Sequence, residues 1–221
     1  MPSFSENYFS HLAAPELKPE ITDQIDFGLT YQLPSLKVLP LLELSADIYH
    51  NRVKDRIVAV PYNLFMWTVT NLNSVNVLGA DVTLNGTLNL GRKQQLLLSG
   101  TWSHQRARII AASGDITHGK QVAYTPLNTG SFSLSYENPW ANIVVHGQGA
   151  TEKYTENSNI PQTLIPGYFE FGITAWREFS LWKKTFELRF DVMNILNKQY
   201  YIIARYPMPG RSYMFSIKFT L

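Results

Sequence analysis

Apolar and polar residues alternate along most of this 221-residue chain, and that period is the feature that most constrains its fold. Near the C-terminus, Phe215, Ile217 and Phe219 are apolar, whereas Ser216 and Lys218 between them are polar. Successive side chains of a β-strand point to opposite faces, so the period predicts strands with one apolar and one polar face. No segment of comparable length has the apolar stripe of an amphipathic helix. We therefore predict an all-β fold.

Nine segments carry this alternation. Their predicted bounds are 21–33, 38–54, 75–90, 94–105, 129–137, 141–154, 167–179, 184–196 and 211–221. These lengths match or exceed the ~9–11 residues with which a tilted strand crosses a bilayer. Residues 1–20 contain three prolines and are predicted to form a loop segment, which leaves residues 21–221 for the strands.

The predicted connections alternate in length. Short ones lie at 33–37, 91–93, 137–140 and 180–183. Long ones lie at 55–74, 106–128, 155–166 and 197–210. Tight turns at one end and long loops at the other are typical of up-and-down membrane barrels, which have even strand numbers in bacteria. Since nine is odd, the predicted fold class is an antiparallel up-and-down transmembrane β-barrel segment that is part of a larger barrel.

Composition excludes several classes of protein. Charged residues make up 16% of the chain, against roughly 25% in ordinary soluble domains. There is no cysteine, which excludes disulfides, thiolate-bound metals and thiol catalysis. A net charge of +2 implies no nucleic-acid partner. The longest uncharged run, 57–80, contains Pro61 and several asparagines, so no spanning helix is predicted; residues 1–10 do not resemble a signal peptide.

No arrangement for catalysis, metal binding or nucleotide binding is visible. The five histidines are not spaced as metal ligands with one another or with a carboxylate. Residues 114–120 have the glycine and lysine spacing of a phosphate loop, but Gln121 follows where Ser or Thr should contact magnesium. We therefore predict no enzyme activity, no cofactor and no metal.

Two long connections carry side chains suited to a ligand. Cations in and beside 106–128 can hold an anionic ligand, such as a ferric chelate or a phosphorylated cofactor. Aromatic rings in 55–74 can stack on it. The candidate ligand-binding residues are Tyr62, Phe65, Trp67, His104, Arg106, Arg108 and His118. The alternatives are a loop that is solvated or faces lipopolysaccharide, and rings that pack on neighbouring loops.

The C-terminal region resembles that of TonB-dependent outer-membrane receptors. That family typically has an Asn-Leu-Phe-Asp-Lys-like stretch, a Tyr pair, a Pro-Gly-Arg turn and a last strand of alternating aromatics. Here residues 194–201 are Asn-Ile-Leu-Asn-Lys-Gln-Tyr-Tyr. Residues 14–20, Ala-Pro-Glu-Leu-Lys-Pro-Glu, and 79–81, Gly-Ala-Asp, are similar to two earlier motifs of the family. The resemblance covers nearly the whole chain.

Two groups of residues in this region have predicted structural roles. The turn motif consists of Tyr206, Pro207, Pro209, Gly210 and Arg211. Its prolines stiffen the last long connection, and Gly210 is expected to free a backbone angle. The terminal strand resembles the signal that the barrel-insertion machinery reads, with Leu221 where the family usually has Phe. Its alternating residues are Tyr213, Phe215, Ile217, Phe219 and Leu221.

The resemblance implies a receptor in the bacterial outer membrane for active uptake of a scarce ligand, such as a ferric siderophore or cobalamin. The implied partners are outer-membrane lipid, lipopolysaccharide, the insertion machinery, and TonB through an N-terminal region that this chain lacks. Complete receptors have a plug and a barrel of about 22 strands, so we expect the first and last strands not to pair. The alternatives are a small self-contained barrel acting as an adhesin or pore, and a soluble β-sandwich binding module.

Overall fold

Nearly all of the regular structure is β. The computed structural model describes residues 17–61, 67–181 and 184–220. Its strands are β1 (Ile21–Gln32), β2 (Leu41–Pro61), β3 (Trp67–Gly91), β4 (Gln94–Ile109), β5 (Asn128–Glu137), β6 (Asn142–Ala150), β7 (Lys153–Tyr154), β8 (Leu164–Ile165), β9 (Tyr168–Leu181), β10 (Lys184–Met193), β11 (Tyr201–Ile203), β12 (Tyr206–Pro207) and β13 (Ser212–Thr220). A short 3-10 helix spans Pro161–Thr163. No helix among the described residues is long and apolar enough to cross a bilayer.

Nine of these strands form one antiparallel sheet. Its order is β1-β2-β3-β4-β5-β6-β9-β10-β13, so each strand pairs with the next one of the sheet along the chain. The remaining four strands form two ribbons, β7 with β8 and β11 with β12, inside long connections. Within the described residues β1 and β13 do not pair, and the sheet stays open. The predicted all-β antiparallel meander is confirmed, as is the expectation that its outer strands do not pair.

The cross-strand register separates the side chains into two faces. Phe190 lies opposite Phe215 on one face, here called the apolar face, and Glu187 lies opposite Lys218 on the other, the polar face. The register also places the following residues on the apolar face: Phe132, Leu134, Phe171, Ile173, Leu188, Phe190, Phe215 and Phe219. Ile25 on this face is 76% exposed. Such a surface needs an apolar surrounding.

A small core lies on the polar face, near the long connections. Val75, Val77, Ala107, Ile109 and Val122 are almost completely buried and form one cluster, here called the core cluster. The first four come from β3 and β4, and the fifth comes from the connection that follows β4. The rest of the sheet depends on its ladders of backbone hydrogen bonds, because no second layer covers it within the described residues.

The largest departure from the predicted bounds is at the β2–β3 hairpin. The predicted connection 55–74 is wrong, because β2 continues to Pro61 and β3 begins at Trp67. Only 62–66, which lie outside the described residues, separate the two strands. The predicted alternation of connection lengths therefore fails at this hairpin. β4 also runs beyond its predicted end, to Ile109.

The far end of this hairpin is a two-stranded ribbon that projects past the neighbouring strands. The ribbon consists of residues 55–61 and 67–74, which pair with each other. Asp55 has a left-handed backbone (φ +53°), which kinks β2 where the ribbon begins. Val58 and Leu72 pack against the core cluster. The kink thus lets the ribbon curl over the end of the polar face.

Candidate functional site

The connection 110–127 folds back onto the free edge of β4. The Ile109 N–H donates to Lys120 O at 2.9 Å, and the Val122 N–H donates to Ala107 O at 2.9 Å. Val122 also fills the core cluster. Edge hydrogen bonds and a buried side chain therefore hold this loop against the end of the sheet. We call 110–127 together with 151–167 the loop layer.

Amide side chains join the two halves of the loop layer. Asn159 Oδ1 accepts from the Gln121 N–H at 2.8 Å, and Asn159 Nδ2 donates to Gln121 O at 2.9 Å. Asn157 Oδ1 accepts from the Ala123 N–H at 2.8 Å. The Gln121 side chain in turn donates to Gln105 O at 3.2 Å. These bonds satisfy backbone groups that a loop would otherwise leave to water, so the two connections form one structural unit.

One ammonium group is buried in the loop layer. Lys153 is 9% exposed, and its Nζ lies 5.9 Å from the centre of the Tyr124 ring. Burial lowers the pKa of Lys153 and raises the pKa of Tyr124. The negative face of an aromatic ring attracts a cation, which compensates part of the lost hydration. No sequence signal distinguished Lys153 from the other lysines.

A buried carboxylate organises the polar face of β9 and β10. Asp191 is 5% exposed and accepts from Arg189 Nε and Nη2 at 2.9–3.0 Å. Thr174 Oγ1 donates to the same carboxylate at 2.7 Å. The Arg189 side chain is 46% exposed, so the guanidinium remains hydrated while the carboxylate does not. No motif in the sequence singles out Asp191.

Tyr200 ties the last long connection to β9. Its hydroxyl donates to the Glu170 carboxylate, and its ring stacks on Tyr168 with 4.4 Å between the centroids. Burial, together with the hydrogen bond and negative charge of Glu170, raises the pKa of Tyr200. The hydroxyl therefore stays protonated and remains a donor at physiological pH.

The predicted turn motif is anchored by Asn194. This residue is 2% exposed, and its Nδ2 donates to Lys198 O at 2.9 Å and to Pro209 O at 3.1 Å. Tyr206 and Pro207 form β12. The Asn194 amide thus holds the two ends of the connection 197–210 together, with the β11–β12 ribbon between them.

Gly210 has a different role from the one predicted. Its φ does not lie in the positive region, so the expectation that it frees a backbone angle is wrong. A Cβ at this position would lie 2.8 Å from Asn197 Oδ1. The same Oδ1 accepts from the Arg211 N–H at 2.9 Å. The position therefore needs space for the Asn197 side chain.

Replacement of Asn194 by alanine is expected to destabilise this connection by about 1–3 kcal/mol, because the carbonyls of Lys198 and Pro209 lose the donor that the buried Asn194 amide supplies. Limited proteolysis of the full chain should show faster cleavage within 197–210. Gln199→Ala is the matched control, because it also removes an amide side chain from this connection, at an exposed position. Equal cleavage of both variants would contradict the anchoring role.

The structure describes only some of the candidate ligand-binding residues. Tyr62 and Phe65 lie outside the described residues, and Trp67 is the first residue of β3. His118 closes a turn of the loop layer, with 2.8 Å between its Nδ1 and Ala111 O. As a binding set, these residues stay a prediction.

The predicted loop location of Arg106 and Arg108 is wrong. His104, Arg106 and Arg108 belong to β4. The register places them on the same face as Trp102, the apolar face, and therefore away from the polar face. His104 Nδ1 lies 2.9 Å from Asn128 Oδ1. The sequence does not reveal that β4 extends this far, because the hydrogen-bond partners of its last residues come from the loop 110–127.

The terminal strand presents its alternating residues as the period predicts. Tyr213, Phe215, Ile217 and Phe219 share the apolar face of β13. Leu221 lies outside the described residues. Recognition of this strand by the insertion machinery stays a prediction.

Charge is distributed unequally between the faces. The carboxylates of the polar face are Asp26, Glu43, Asp47, Asp81, Glu137, Glu170, Glu178, Glu187 and Asp191. Outside the ribbon, its cations among the described residues are Arg189 and Lys218. Such a face attracts positively charged partner groups. Among the described residues there is no group of three or more His, Asp or Glu side chains that could hold a metal ion.

Several solved receptors have a similar fold. BauA, the ferric preacinetobactin receptor from Acinetobacter baumannii, is 15% identical with a TM-score of 0.66. The ferric-catecholate import receptor Fiu from K12 E. coli is 15% identical with a TM-score of 0.65. The copper transporter OprC is 18% identical with a TM-score of 0.67. At these identities the likeness shows the fold alone. No curated protein sequence matches the chain.

The chain corresponds to only part of each of these proteins. BauA, Fiu and OprC align with 90%, 91% and 98% of this chain, which spans only 29%, 28% and 34% of their own lengths. Residues 1–195 match the family described as TonB dependent receptor-like, beta-barrel. Since this match extends over most of the sequence and agrees with the open, two-faced meander, the chain belongs to the TonB-dependent receptor-like β-barrel family.

Proposed function

We propose that this chain forms part of the barrel wall of a receptor in the bacterial outer membrane that imports a scarce ligand with energy supplied through TonB. The observation that carries the proposal is the nine-stranded meander with one apolar face, which belongs to a family of receptor barrels. An exposed apolar face on an antiparallel sheet fits the lipid-facing wall of such a barrel. The acidic polar face favours an interior partner with basic groups, such as the plug domain that the resemblance implies.

A ferric siderophore is the ligand class that we propose. BauA and Fiu are receptors for ferric preacinetobactin and for ferric catecholates, and both share this fold. OprC is a copper transporter of the same fold, which makes copper the second ligand to test. The loop layer supports a receptor role, because it provides an ordered surface at one end of the sheet. The family is one of receptors rather than an enzyme class.

Uptake measurements in the source bacterium test the proposal. The coding region for this chain is deleted and then restored, and uptake of radiolabelled iron is followed with catecholate and hydroxamate chelates under iron limitation. We expect deletion to abolish uptake of at least one chelate, and loss of TonB to have the same effect. Copper uptake is measured in parallel. If no chelate depends on the chain, or if uptake continues without TonB, the proposal fails.

A self-contained barrel acting as a pore or adhesin is disfavoured by the sheet itself. Closure would require β1 to pair with β13, and the described strands do not do so. An open edge leaves backbone N–H and C=O groups that lipid cannot satisfy. Stable conductance of the purified full chain in a planar bilayer would favour this alternative.

A further inference from the structure

Four basic side chains form a cluster on the apolar face, at the end of β2 and β4 next to the long connections. They are Arg52, Lys54, Arg106 and Arg108, here called the basic patch. All four are exposed. The register fixes their spacing, since Arg52 and Arg108 lie on either side of Asn76 in one row across three strands. Neighbouring strands are about 4.8 Å apart, so the Cα atoms of the two arginines are separated by about 10 Å.

None of the four cations of the patch forms an ion pair with a carboxylate among the described residues. Among the described residues the one ion pair joins Arg189 to Asp191 on the polar face. Asp23 lies opposite Arg52 on the apolar face but is not within ion-pair distance of it. Glu20, just before β1, accepts a hydrogen bond from the Ile57 N–H. The patch therefore presents its positive charge outward.

The patch adjoins a band of exposed apolar side chains, and Leu78 of this band lies directly opposite Arg106. Ile48, Leu78 and Trp102 share its face and are 58%, 56% and 46% exposed. Cations that border an apolar surface, with a tryptophan at the boundary, have the arrangement that suits lipid headgroups. The patch is also local. The residues nearest the long connections on this face of β5, β6, β9, β10 and β13 are uncharged: Asn128, Gly149, Phe169, Val192 and Tyr213.

We propose that the basic patch binds the phosphate groups of an anionic glycolipid in the outer leaflet. This inference rests on the proposed function, because it takes the apolar face to be in contact with lipid and the long connections to be outside. Several cations within about 10 Å can contact one multiply charged headgroup at once, and arginine forks match phosphate oxygens in bidentate hydrogen bonds. Lipid, rather than a free anion, is the occupant because the patch adjoins the apolar band.

The test uses the full chain in uncharged detergent micelles, titrated with diphosphorylated lipid A, with its dephosphorylated analogue and with inorganic phosphate. We expect Arg52→Gln/Arg108→Gln to weaken lipid A binding about 25-fold, since each cation near an anionic surface contributes roughly fivefold. The matched control is Arg177→Gln/Lys184→Gln, which removes two exposed cations from the same face next to the β9–β10 turn. Binding to the control should change less than about twofold.

A conservative variant shows whether weaker binding results from the loss of charge or from misfolding of the chain. Arg52→Lys/Arg108→Lys keeps both charges and should retain binding within about fivefold. Equal loss in the test and control variants would overturn the proposal, as would equal binding of the dephosphorylated lipid. Displacement of lipid A by an equal concentration of inorganic phosphate would make a free anion the occupant and would also overturn it. Because this readout does not involve uptake, the patch and the receptor function can fail independently.

Discussion

Replacement of Phe215 by arginine is expected to lower the free energy of unfolding of the chain in bilayers by ~2–4 kcal/mol. Phe215 is 63% exposed on the apolar face of β13, where it lies opposite Phe190. An arginine there must place its charge in hydrocarbon, unless the side chain reaches the headgroups or thins the bilayer. This is the cost that a lipid-facing position should show and that a water-facing position should not.

The neighbouring residue provides the control. Met214 is 54% exposed on the polar face and lies opposite Asp191. Met214→Arg makes the same kind of change one residue away, and we expect it to cost less than about 1 kcal/mol. Both variants of the full chain are unfolded with denaturant in phosphatidylcholine vesicles and followed by tryptophan fluorescence. Equal losses would show that the apolar face is not the lipid-facing one.

Replacement of Arg189 by methionine is expected to destabilise the chain by about 2–3 kcal/mol, although Arg189 is the more exposed partner of its ion pair. The variant leaves the Asp191 carboxylate, which is 5% exposed, with Thr174 as its remaining side-chain donor. An uncompensated buried charge costs more than a charge that water can reach. Removal of the exposed cation should therefore be costly.

Two matched variants test whether removal of the Arg189 cation costs more than neutralisation of the Asp191 carboxylate. Both are measured by the same denaturant titration. Asp191→Asn keeps the size of the buried side chain and leaves Arg189 free to be hydrated, so we expect a loss of about 1 kcal/mol. Lys218→Met removes the other cation of the polar face, which forms no ion pair within the described residues, and should cost less than about 0.5 kcal/mol. A ranking with Asp191→Asn as the most destabilised variant would contradict the asymmetry.

The fold could be predicted from the sequence to the extent that each strand has contrasting faces. β10 and β13 alternate charged or polar residues with aromatic ones, and their predicted bounds agree closely with the structure. The ribbon beyond Asp55 has little such contrast, because residues 57–61 and 67–74 contain no charge. Its strands pair with each other, and the period gave no signal for them. The predicted connection 55–74 was therefore too long.

The contacts of the site could not be predicted, because they join residues that are distant in the sequence. Gln121 and Asn159 are 38 positions apart, and neither belongs to a motif. The extension of β4 through Arg106 and Arg108 depends on the returning loop, which supplies hydrogen-bond partners to its edge. Polar residues at the end of a strand were therefore interpreted as a loop. Family membership was predictable, since short motifs carry it without any long-range contact.

The hydrogen bonds between the two halves of the loop layer also determine where this surface can change during evolution. Residues 112–116 are exposed and lie between the segments that bond to the sheet. An insertion there would lengthen the loop and leave the bonds of Gln121 unchanged. An insertion between 119 and 122 would shift the pairing along β4 by one residue and turn Val122 out of the core cluster. Length variation that keeps the fold should therefore be tolerated at 112–116 and not between 119 and 122.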